Sequence, residues 1–357
     1  MKKIPKTLQL FLKLVISCAF FSVLLSFIRG NELVNMFANI SWPFFCISFA
    51  VMFTMLAISC AKWKIILDLK SRRPGYWELF KIYLIGTFFS NILPSTVGGD
   101  VVRSYYAGKI IENQSYAAVS VFVERFSGIV FLFILVAVAP LFRIELYASP
   151  YLFVPAGAGL FCTAITIWIW KARNPFNIPN KLAEGLFAAL HGLSAKPGCT
   201  WLTRPTIFIE NLYRTIIERL KKLRIEMQVA VDAVKQDKQF LWRLIFLTML
   251  FYMFTWLNVY TAFRTFHVEV NFVAICAVVP AAMFVANVPV TLLGNLGYFE
   301  SVFVFYFLMV GVGGAESLAM GLMLRLNKLG LGGLGFISYL VYRQKHRLPV
   351  GREEFTG

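Results

Sequence analysis

Long apolar runs occur throughout this 357-residue chain and limit it to folds in which they are buried in protein or in lipid. A helix needs about 20 apolar residues to cross the roughly 30 Å hydrocarbon layer of a bilayer. Runs of this length are each predicted to form one membrane-spanning helix. There are six of them, at residues 8–28, 42–61, 116–142, 151–170, 240–263 and 317–342.

The composition agrees with a membrane protein. Hydrophobic residues make up 59% of the chain and charged residues only 15%, whereas soluble domains are about 25% charged. The chain therefore lacks the polar surface that a globular domain needs in water. The six cysteines are scattered and the three histidines are far apart, so the sequence predicts no metal site, no cofactor and no disulfide framework.

Two further apolar segments are interrupted, and we predict that they form broken or re-entrant helical hairpins. Residues 82–113 contain an apolar stretch that stops at Pro94 and continues into a polar sequence. Residues 272–314 are interrupted by prolines and glycines. Such breaks at membrane depth are tolerated only where they are buried in protein or line a cavity. For 272–314, a hairpin and a pair of full spans both remain open.

The two broken segments share one order of residues, which is Asn, Pro, two glycines and an acid. The first has N-I-L-P-S-T-V-G-G-D at 91–100, and the second has N-V-P-V-T-L-L-G-N-L-G-Y-F-E at 287–300. Matched interruptions in two halves are typical of inverted-repeat transporters. The predicted fold is therefore an all-α polytopic membrane protein with about six full spans and two broken hairpins, which could form an inverted repeat. The alternative is that these helices simply tolerate glycine and proline.

Basic residues set the predicted orientation. Segments 1–13, 62–81, 171–243 and 343–357 hold 27 of the 35 lysines and arginines. All four fall on one face if 82–113 enters and leaves the membrane from the same side. Because basic loops face the cytoplasm, we expect a multi-pass protein of the plasma membrane, such as the bacterial cytoplasmic membrane, with both termini in the cytoplasm. The net charge of +17 is assigned to contact with anionic lipid, and no nucleic-acid partner is expected.

These boundaries divide the chain into four parts. The N-terminal membrane half is 1–170, the C-terminal membrane half is 240–342, and a basic cytoplasmic tail follows at 343–357. Between the halves, 171–239 is predicted to be a cytoplasmic loop with a basic amphipathic helix at 206–234. That helix is expected either to lie on an anionic lipid surface or to pack as a solvated helix on the bundle.

Ionisable residues occur where hydrocarbon is expected. A charge at the centre of a membrane helix costs roughly 2.5–3.5 kcal/mol, so these residues should face the bundle interior and form pairs. Asp100 and Arg103 can meet on one helix face, and we predict that Glu124 pairs with Arg103, which leaves Arg125 for an acid or a ligand. The alternative is that the pairs only fix the packing. The residues are Asp100, Arg103, Glu124, Arg125, Glu300 and Arg325.

Arg103 lies beside a Gly-Gly turn whose backbone N–H groups could also bind an anion. A guanidinium group suits a phosphate in such a site. The predicted substrate-binding residues therefore combine the charged residues with those of the two turns, and no catalytic or metal-binding residue is predicted. The set is Asn91, Pro94, Gly98, Gly99, Asp100, Arg103, Glu124, Arg125, Asn287, Pro289, Gly297, Glu300 and Arg325.

Several ordered motifs resemble the lysylphosphatidylglycerol synthase transmembrane region family, a flippase-like domain. They are F-x-S-N-I-L-P-S-T-V-G-G-D-V-V-R at 88–103, V-E-R-F-S-G-I at 123–129, P-V-T-L-L-G-N-L-G-Y-F-E at 289–300 and L-R-L at 324–326. The family often has Glu at the position of Asp100 and a Gly-Gly-rich turn at 294–297. The resemblance implies a bundle with paired re-entrant helices, a polar central cavity and a role in moving or handling lipids with charged or glycosylated headgroups.

The leading hypothesis is an integral membrane lipid translocase for a phospholipid or polyprenyl-linked lipid with a charged or glycosylated headgroup. That headgroup is the expected substrate, with its phosphate at Arg103, Arg125 or Arg325 and any amine at Glu124 or Glu300. The alternatives are an intramembrane transferase acting on a lipid phosphate and a scaffold for lipid or cell-envelope biosynthesis. An enzyme is not favoured, because no catalytic motif is recognisable and the fifteen residues after 342 leave no room for a synthase domain. The oligomeric state stays open.

Overall fold

The structure is a computed structural model, and it describes most of the chain after residue 29. All regular secondary structure in the described residues is helical, which confirms the predicted all-α fold. The described ranges are 30–69, 73–93, 98–145, 149–171, 177–194, 206–207, 209–211, 213–215, 217–218, 238–288 and 296–345.

Eleven α-helices have defined bounds within these ranges, and a short 3₁₀ helix at Ala139–Phe142 follows the fifth. The α-helices are α1 (Gly30–Ala38), α2 (Trp42–Leu67), α3 (Tyr76–Ile92), α4 (Gly98–Ile110), α5 (Gln114–Val138), α6 (Pro150–Lys171), α7 (Asn177–Ser194), α8 (Lys238–Thr265), α9 (Phe272–Ala286), α10 (Tyr298–Leu308) and α11 (Gly314–Lys345).

Four described helical segments are long and apolar enough to cross a membrane, and they confirm the predicted polytopic protein. They contain α2, α5, α6 and α8 and correspond to four of the six predicted spans. The predicted span at 317–342 lies in α11, which has 32 residues but is more polar than those four because it carries Glu316, Arg325 and Lys328. The remaining predicted span, 8–28, lies outside the described residues.

Helices α3 and α4 pack side by side as the first hairpin. Two glycines allow the close approach, since a Cβ on Gly99 would overlap the Ser90 hydroxyl and the Gly86 carbonyl. The first helix starts at Tyr76, earlier than the predicted start at 82. The chain from 62 to 81 was expected to be a basic loop, but most of it is helical, because α2 continues to Leu67 and α3 begins directly after Gly75.

Helices α9 and α10 pack against each other in the second broken segment. The Tyr298 hydroxyl at the start of α10 donates a hydrogen bond to the Val285 carbonyl near the end of α9, at 3.0 Å. The two helices have 15 and 11 residues, so they are about 22 Å and about 16 Å long. Neither length reaches the roughly 30 Å of a full span, which supports a hairpin at 272–314 over two full spans.

Polar caps and one glycine fix where the helices around the hairpins begin. The Asn113 side chain accepts a hydrogen bond from the N–H of Tyr116 at the start of α5, and Asn271 caps α9 in the same way. Helix α10 follows Gly297, whose φ of 80° lies in the left-handed region that favours glycine. These signals set the register of the charged residues that follow.

Helix α11 contacts both hairpins, since it packs against α3 and against α10. A Cβ on Gly335 would overlap the Leu84 carbonyl of α3. The Asn91 side chain at the end of α3 donates a hydrogen bond to the Lys328 carbonyl at 3.0 Å. The last long helix is therefore the element that connects the two broken segments.

The chain divides into two compact units, one of residues 1–159 with 242–357 and one of residues 160–241. In the second unit, His191 at the end of α7 and Arg214 both contact the Glu210 carboxylate, at 2.9 Å and 2.8 Å. The hydrogen bond from His191, followed by that from Arg214, lowers the pKa of Glu210 below its ordinary value. The described parts of 206–218 are helical, and the rest of the predicted helix at 206–234 lies outside the described residues.

Candidate functional site

Arg103 is the centre of a buried group of ion pairs. Helix α4 carries this arginine, whose residue is only 1% exposed. Its Nη2 donates a hydrogen bond to Oε2 of Glu124 on α5 at 2.6 Å, and its Nε donates to Oδ1 of Asp100 at 3.0 Å. Both of these contacts were expected from the sequence.

Three residues complete the surroundings of Arg103. Its guanidinium carbon lies 5.1 Å from the centroid of the Trp63 ring and 4.5 Å from that of Tyr83, which stabilises the cation through the ring faces. Lys62 Nζ lies 3.5 Å from Oε1 of Glu124 and is also buried. Among the described residues, Arg103 Nη1 has no hydrogen-bond partner.

Sequence reasoning missed Lys62, Trp63 and Tyr83. Lys62 was placed in a basic loop because the second predicted span was ended at residue 61, one position too early for it. The ring contacts require knowledge of how α2 and α3 pack onto α4. Of these three residues, only Lys62 could have been placed from the sequence. It is followed by the helix-compatible sequence W-K-I-I-L before the turn at 68–69, which predicts that the helix continues past residue 61.

Asp100 is shared between two arginines. Its Oδ1 accepts from Arg103 Nε and also from Arg125 Nη2, the latter at 3.1 Å. Adjacent helical residues point about 100° apart, and so Glu124 is buried while the side chain of Arg125 is 54% exposed. Arg125 is therefore the accessible member of this group.

A second ion pair lies in the second half of the chain. Arg325 Nε on α11 donates to Oε1 of Glu300 on α10 at 2.6 Å. The N–H of Gly297 donates to the other carboxylate oxygen, Oε2, at 2.8 Å. Glu300 is fully buried, and the side chain of Arg325 is 20% exposed. Gly321 leaves room for the acid, because a Cβ there would already contact Glu300 Cγ at 3.4 Å.

We name these two groups of ion pairs, together with Lys328, the central charged cluster. Lys328 follows Arg325 by three residues on α11, so the two side chains lie about one turn apart on the same helix. In this cluster five basic side chains accompany three carboxylates, so the basic groups outnumber the acids by two. The members are Lys62, Asp100, Arg103, Glu124, Arg125, Glu300, Arg325 and Lys328.

The other predicted site residues have different positions. Gly98 and Gly99 lie in the first turn of α4, where Gly99 is buried against α3. Asn91 contacts α11 through its hydrogen bond to the Lys328 carbonyl. Asn287 is exposed at the end of α9, and none of its described hydrogen bonds reaches the central charged cluster. Pro94 and Pro289 lie outside the described residues.

Two cavities lie at the connection between α8 and α9. One has a volume of about 300 Å³ and is lined by Arg264 and Glu269, and the other has about 510 Å³ and is lined by His267, Glu269 and Glu316. The central charged cluster lines neither of them. In this conformation each carboxylate of the cluster contacts an arginine instead.

A family comparison agrees with the motifs. Residues 10–334 match the model described as the lysylphosphatidylglycerol synthase TM region. The chain belongs to this family. The matched range contains all the motifs on which the resemblance was based, and it includes every residue of the central charged cluster. The family assignment and the apolar helices together make this chain an integral multi-pass membrane protein.

Two relatives carry the description UPF0104 membrane protein. The one from Methanothermobacter thermautotrophicus is 22% identical over 275 residues, which are 77% of this chain and 78% of that protein. The protein MJ1595 from Methanocaldococcus jannaschii is 29% identical over 114 residues, which are 31% of this chain and 34% of that protein. The chain thus matches about a third of the length of MJ1595. No solved structure matches the chain.

Proposed function

We propose that this family member is a lipid translocase of the cytoplasmic membrane, which moves a phospholipid or polyprenyl-linked lipid with a charged or glycosylated headgroup. The observation that carries this proposal is that basic side chains outnumber carboxylates in the central charged cluster. Unbalanced charge among membrane helices is costly and marks substrate or ion pathways. An anion that enters the cluster would pair with these basic groups, and a lipid phosphate is such an anion.

The arginines of the cluster differ in how exposed their side chains are, and we assign them different roles on that basis. Arg125 and Arg325 are partly exposed, so a phosphate can reach them and accept two hydrogen bonds from one guanidinium group. Arg103 is buried and already holds Asp100 and Glu124. We assign Arg103 to positioning the acids; among the described residues, its Nη1 has no hydrogen-bond partner.

Movement of one hairpin-bearing half against the other would expose the cluster to each side in turn. Helix α11 contacts both hairpins, so a shift of this helix changes the surroundings of both groups of ion pairs at once. During such a shift a phosphate replaces a carboxylate as the partner of an arginine. The exchange keeps each guanidinium paired, which avoids the cost of a bare charge among apolar helices.

The same contacts favour transport over the transferase alternative. A general base needs a free oxygen that can accept the proton of the reacting group. Both oxygens of Glu300 instead accept hydrogen bonds, from Arg325 and from the Gly297 N–H. The two oxygens of Glu124 contact Arg103 and Lys62.

A reconstitution assay tests the proposal. The purified full chain is placed in vesicles that contain a fluorescent phosphatidylglycerol analogue, and dithionite outside the vesicles reports how fast the inner-leaflet dye becomes accessible. We expect faster exposure than in protein-free vesicles and little acceleration for a fluorescent diacylglycerol-like analogue without phosphate beyond its spontaneous rate. Equal rates with and without protein for every anionic lipid tested, including a polyprenyl phosphate, would contradict the proposal.

A further inference from the structure

Helices of the two halves start at positions that differ by 200 residues. Helix α4 begins at Gly98 and α10 begins at Tyr298, and the next long helices begin at Gln114 and Gly314. In both halves the order is a short helix, a break, a second short helix and a long helix. Agreement in both the order and the starting positions is expected of two copies of one structural unit.

The ion pairs obey the same offset. Asp100 and Glu300 are each the third residue of their helix, and Arg125 and Arg325 are each the twelfth residue of the helix that follows. Each acid accepts a hydrogen bond from the arginine 25 positions later. The same pair therefore occurs at the same place in both halves.

The remaining charges of the cluster do not repeat. At the positions 200 residues after Arg103 and Glu124 the chain has Phe303 and Leu324, which are both buried. Apolar residues of similar volume often replace a buried ion pair without loss of stability. The acid–arginine pair is thus the part of the cluster that both halves contain, whereas the second half has apolar residues in place of Arg103 and Glu124.

Each repeated acid has a second donor besides its arginine. Asp100 accepts from Arg103 Nε, and Glu300 accepts from the N–H of Gly297. If the arginine turned toward another anion, the carboxylate would keep one hydrogen bond and would not be left bare. Asp100 and Glu300 would therefore each keep one hydrogen bond if Arg125 or Arg325 moved to another anion.

On the basis of the proposed function, we infer that Arg125 and Arg325 are two equivalent phosphate-binding positions, one in each half of an internal repeat. At each position a phosphate ester takes the place of the acid as the partner of the arginine. Lys328 lies about one helical turn after Arg325 on α11. The ligand class is a phosphate mono- or diester, which a lipid headgroup and a free phosphate compound both supply.

Native mass spectrometry of the purified full chain tests the inference, with phosphatidylglycerol, inorganic phosphate and diacylglycerol as separate probes. Arg125→Gln and Arg325→Gln should each retain about half of the phosphatidylglycerol bound by wild type, because one position remains. The double variant should bind no more than is seen with diacylglycerol. Arg264→Gln is the matched control, since Arg264 also pairs with a carboxylate, that of Glu269, and it should bind like wild type.

Loss of all binding in one single variant, or of none in the double variant, would overturn the inference of two positions. Binding of inorganic phosphate that follows the same pattern would identify the free phosphate group as sufficient, and its absence would identify the lipid as the ligand source. Either result is compatible with two equivalent positions.

A variant that binds more tightly provides a test that misfolding cannot imitate, because a misfolded protein would bind less lipid. Glu300→Gln keeps an oxygen for the Gly297 N–H but removes the charge that competes for Arg325. We expect phosphatidylglycerol to bind about tenfold tighter, because a charge-assisted hydrogen bond no longer has to be broken. Unchanged or weaker binding in a folded Glu300→Gln protein would overturn the inference.

The proposed translocase and the proposed binding positions can be refuted independently of each other. A wild-type protein that binds lipid in this pattern but moves none in vesicles would contradict the proposed translocase and support the two positions. A protein that moves anionic lipid while its binding ignores both arginines would support the translocase and contradict the two positions.

Discussion

Arg103 Nη2 donates a hydrogen bond to Glu124 Oε2 at 2.6 Å, and both side chains are almost completely buried. Because the pair is buried, removing one partner should lower the stability more than replacing the whole group with apolar residues. Removing one partner takes the main counter-ion away from a buried charge, which for a fully unpaired charge costs roughly 3–5 kcal/mol, whereas replacing the whole group with apolar residues is often neutral.

This asymmetry gives the first prediction. Arg103→Phe and Glu124→Leu, which introduce the residues found 200 positions later, should each lower the apparent Tm of the detergent-purified protein. The triple variant Lys62→Met, Arg103→Phe, Glu124→Leu should be more stable than either single variant, because no buried charge of this group then faces an apolar neighbour alone. A triple variant that unfolds at a temperature below both singles, as additive losses would require, would contradict the prediction.

The close approach of α3 and α4 gives the second prediction. Gly99→Ala should destabilise the first hairpin by about 1–3 kcal/mol, because the new methyl group overlaps the Ser90 hydroxyl and the Gly86 carbonyl. Gly333→Ala in α11 is the control, since no atom lies within 4 Å of its Cβ position, and it should leave the apparent Tm unchanged or slightly raised. Equal effects of the two substitutions would show that the glycine contact is not tight.

From the lowered pKa of Glu210, we predict that the stability of the unit of residues 160–241 depends on pH. The pKa of Glu210 is lower in the folded protein than the ordinary value of 4.5 because its carboxylate accepts from His191 and Arg214. The stabilisation is therefore present above pH 4.5 and is lost as the pH falls through the lowered pKa. Limited proteolysis should cut Glu210→Gln faster than wild type at neutral pH, and this difference should shrink in acid. A difference that grows toward low pH would contradict the assigned sign.

The predicted orientation can be tested by cysteine labelling. In a cysteine-free background, Lys109→Cys at the end of the first hairpin should react with a membrane-impermeant maleimide only from the cytoplasmic side. Glu269→Cys, in the loop between α8 and α9, should react only from the outside, because its side chain is 83% exposed and its loop is poor in basic residues. Labelling of position 109 from the outside would show that 82–113 crosses the membrane once.

Much of the site was predictable because charges among apolar residues must pair. The spacing of Asp100 and Arg103, and the need of Glu124 for a cation, follow from the cost of an isolated charge. The motif order also predicted the family. Those statements depend only on local spacing and on the chemistry of each side chain.

The other contacts of the site depend on how the helices pack against each other, which short sequence patterns do not reveal. The pairing of Arg125 with Asp100 requires the angle between α4 and α5, and the ring contacts of Arg103 require α2 and α3. Gly99 was predicted to offer backbone N–H groups to an anion, but it is buried against Gly86, since the absence of a side chain matters there for helix contact.

A buried polar network was missed for the same reason. Ser48 on α2 donates to Asn258 on α8 at 3.2 Å and accepts from Asn327 on α11 at 2.8 Å. Each residue is a single uncharged polar side chain in an apolar helix, so no local pattern distinguishes it. Only the three-dimensional packing reveals that the three residues meet.

The rate of lipid movement in vesicles tests most directly whether the central charged cluster handles the lipid phosphate. The comparison is between wild type, the double variant Arg125→Gln, Arg325→Gln, and the control Arg264→Gln, each reconstituted at the same density with fluorescent phosphatidylglycerol. The proposed function predicts that the double variant falls to the protein-free rate while the control keeps the wild-type rate. A correctly folded double variant that moves lipid as fast as wild type would contradict it.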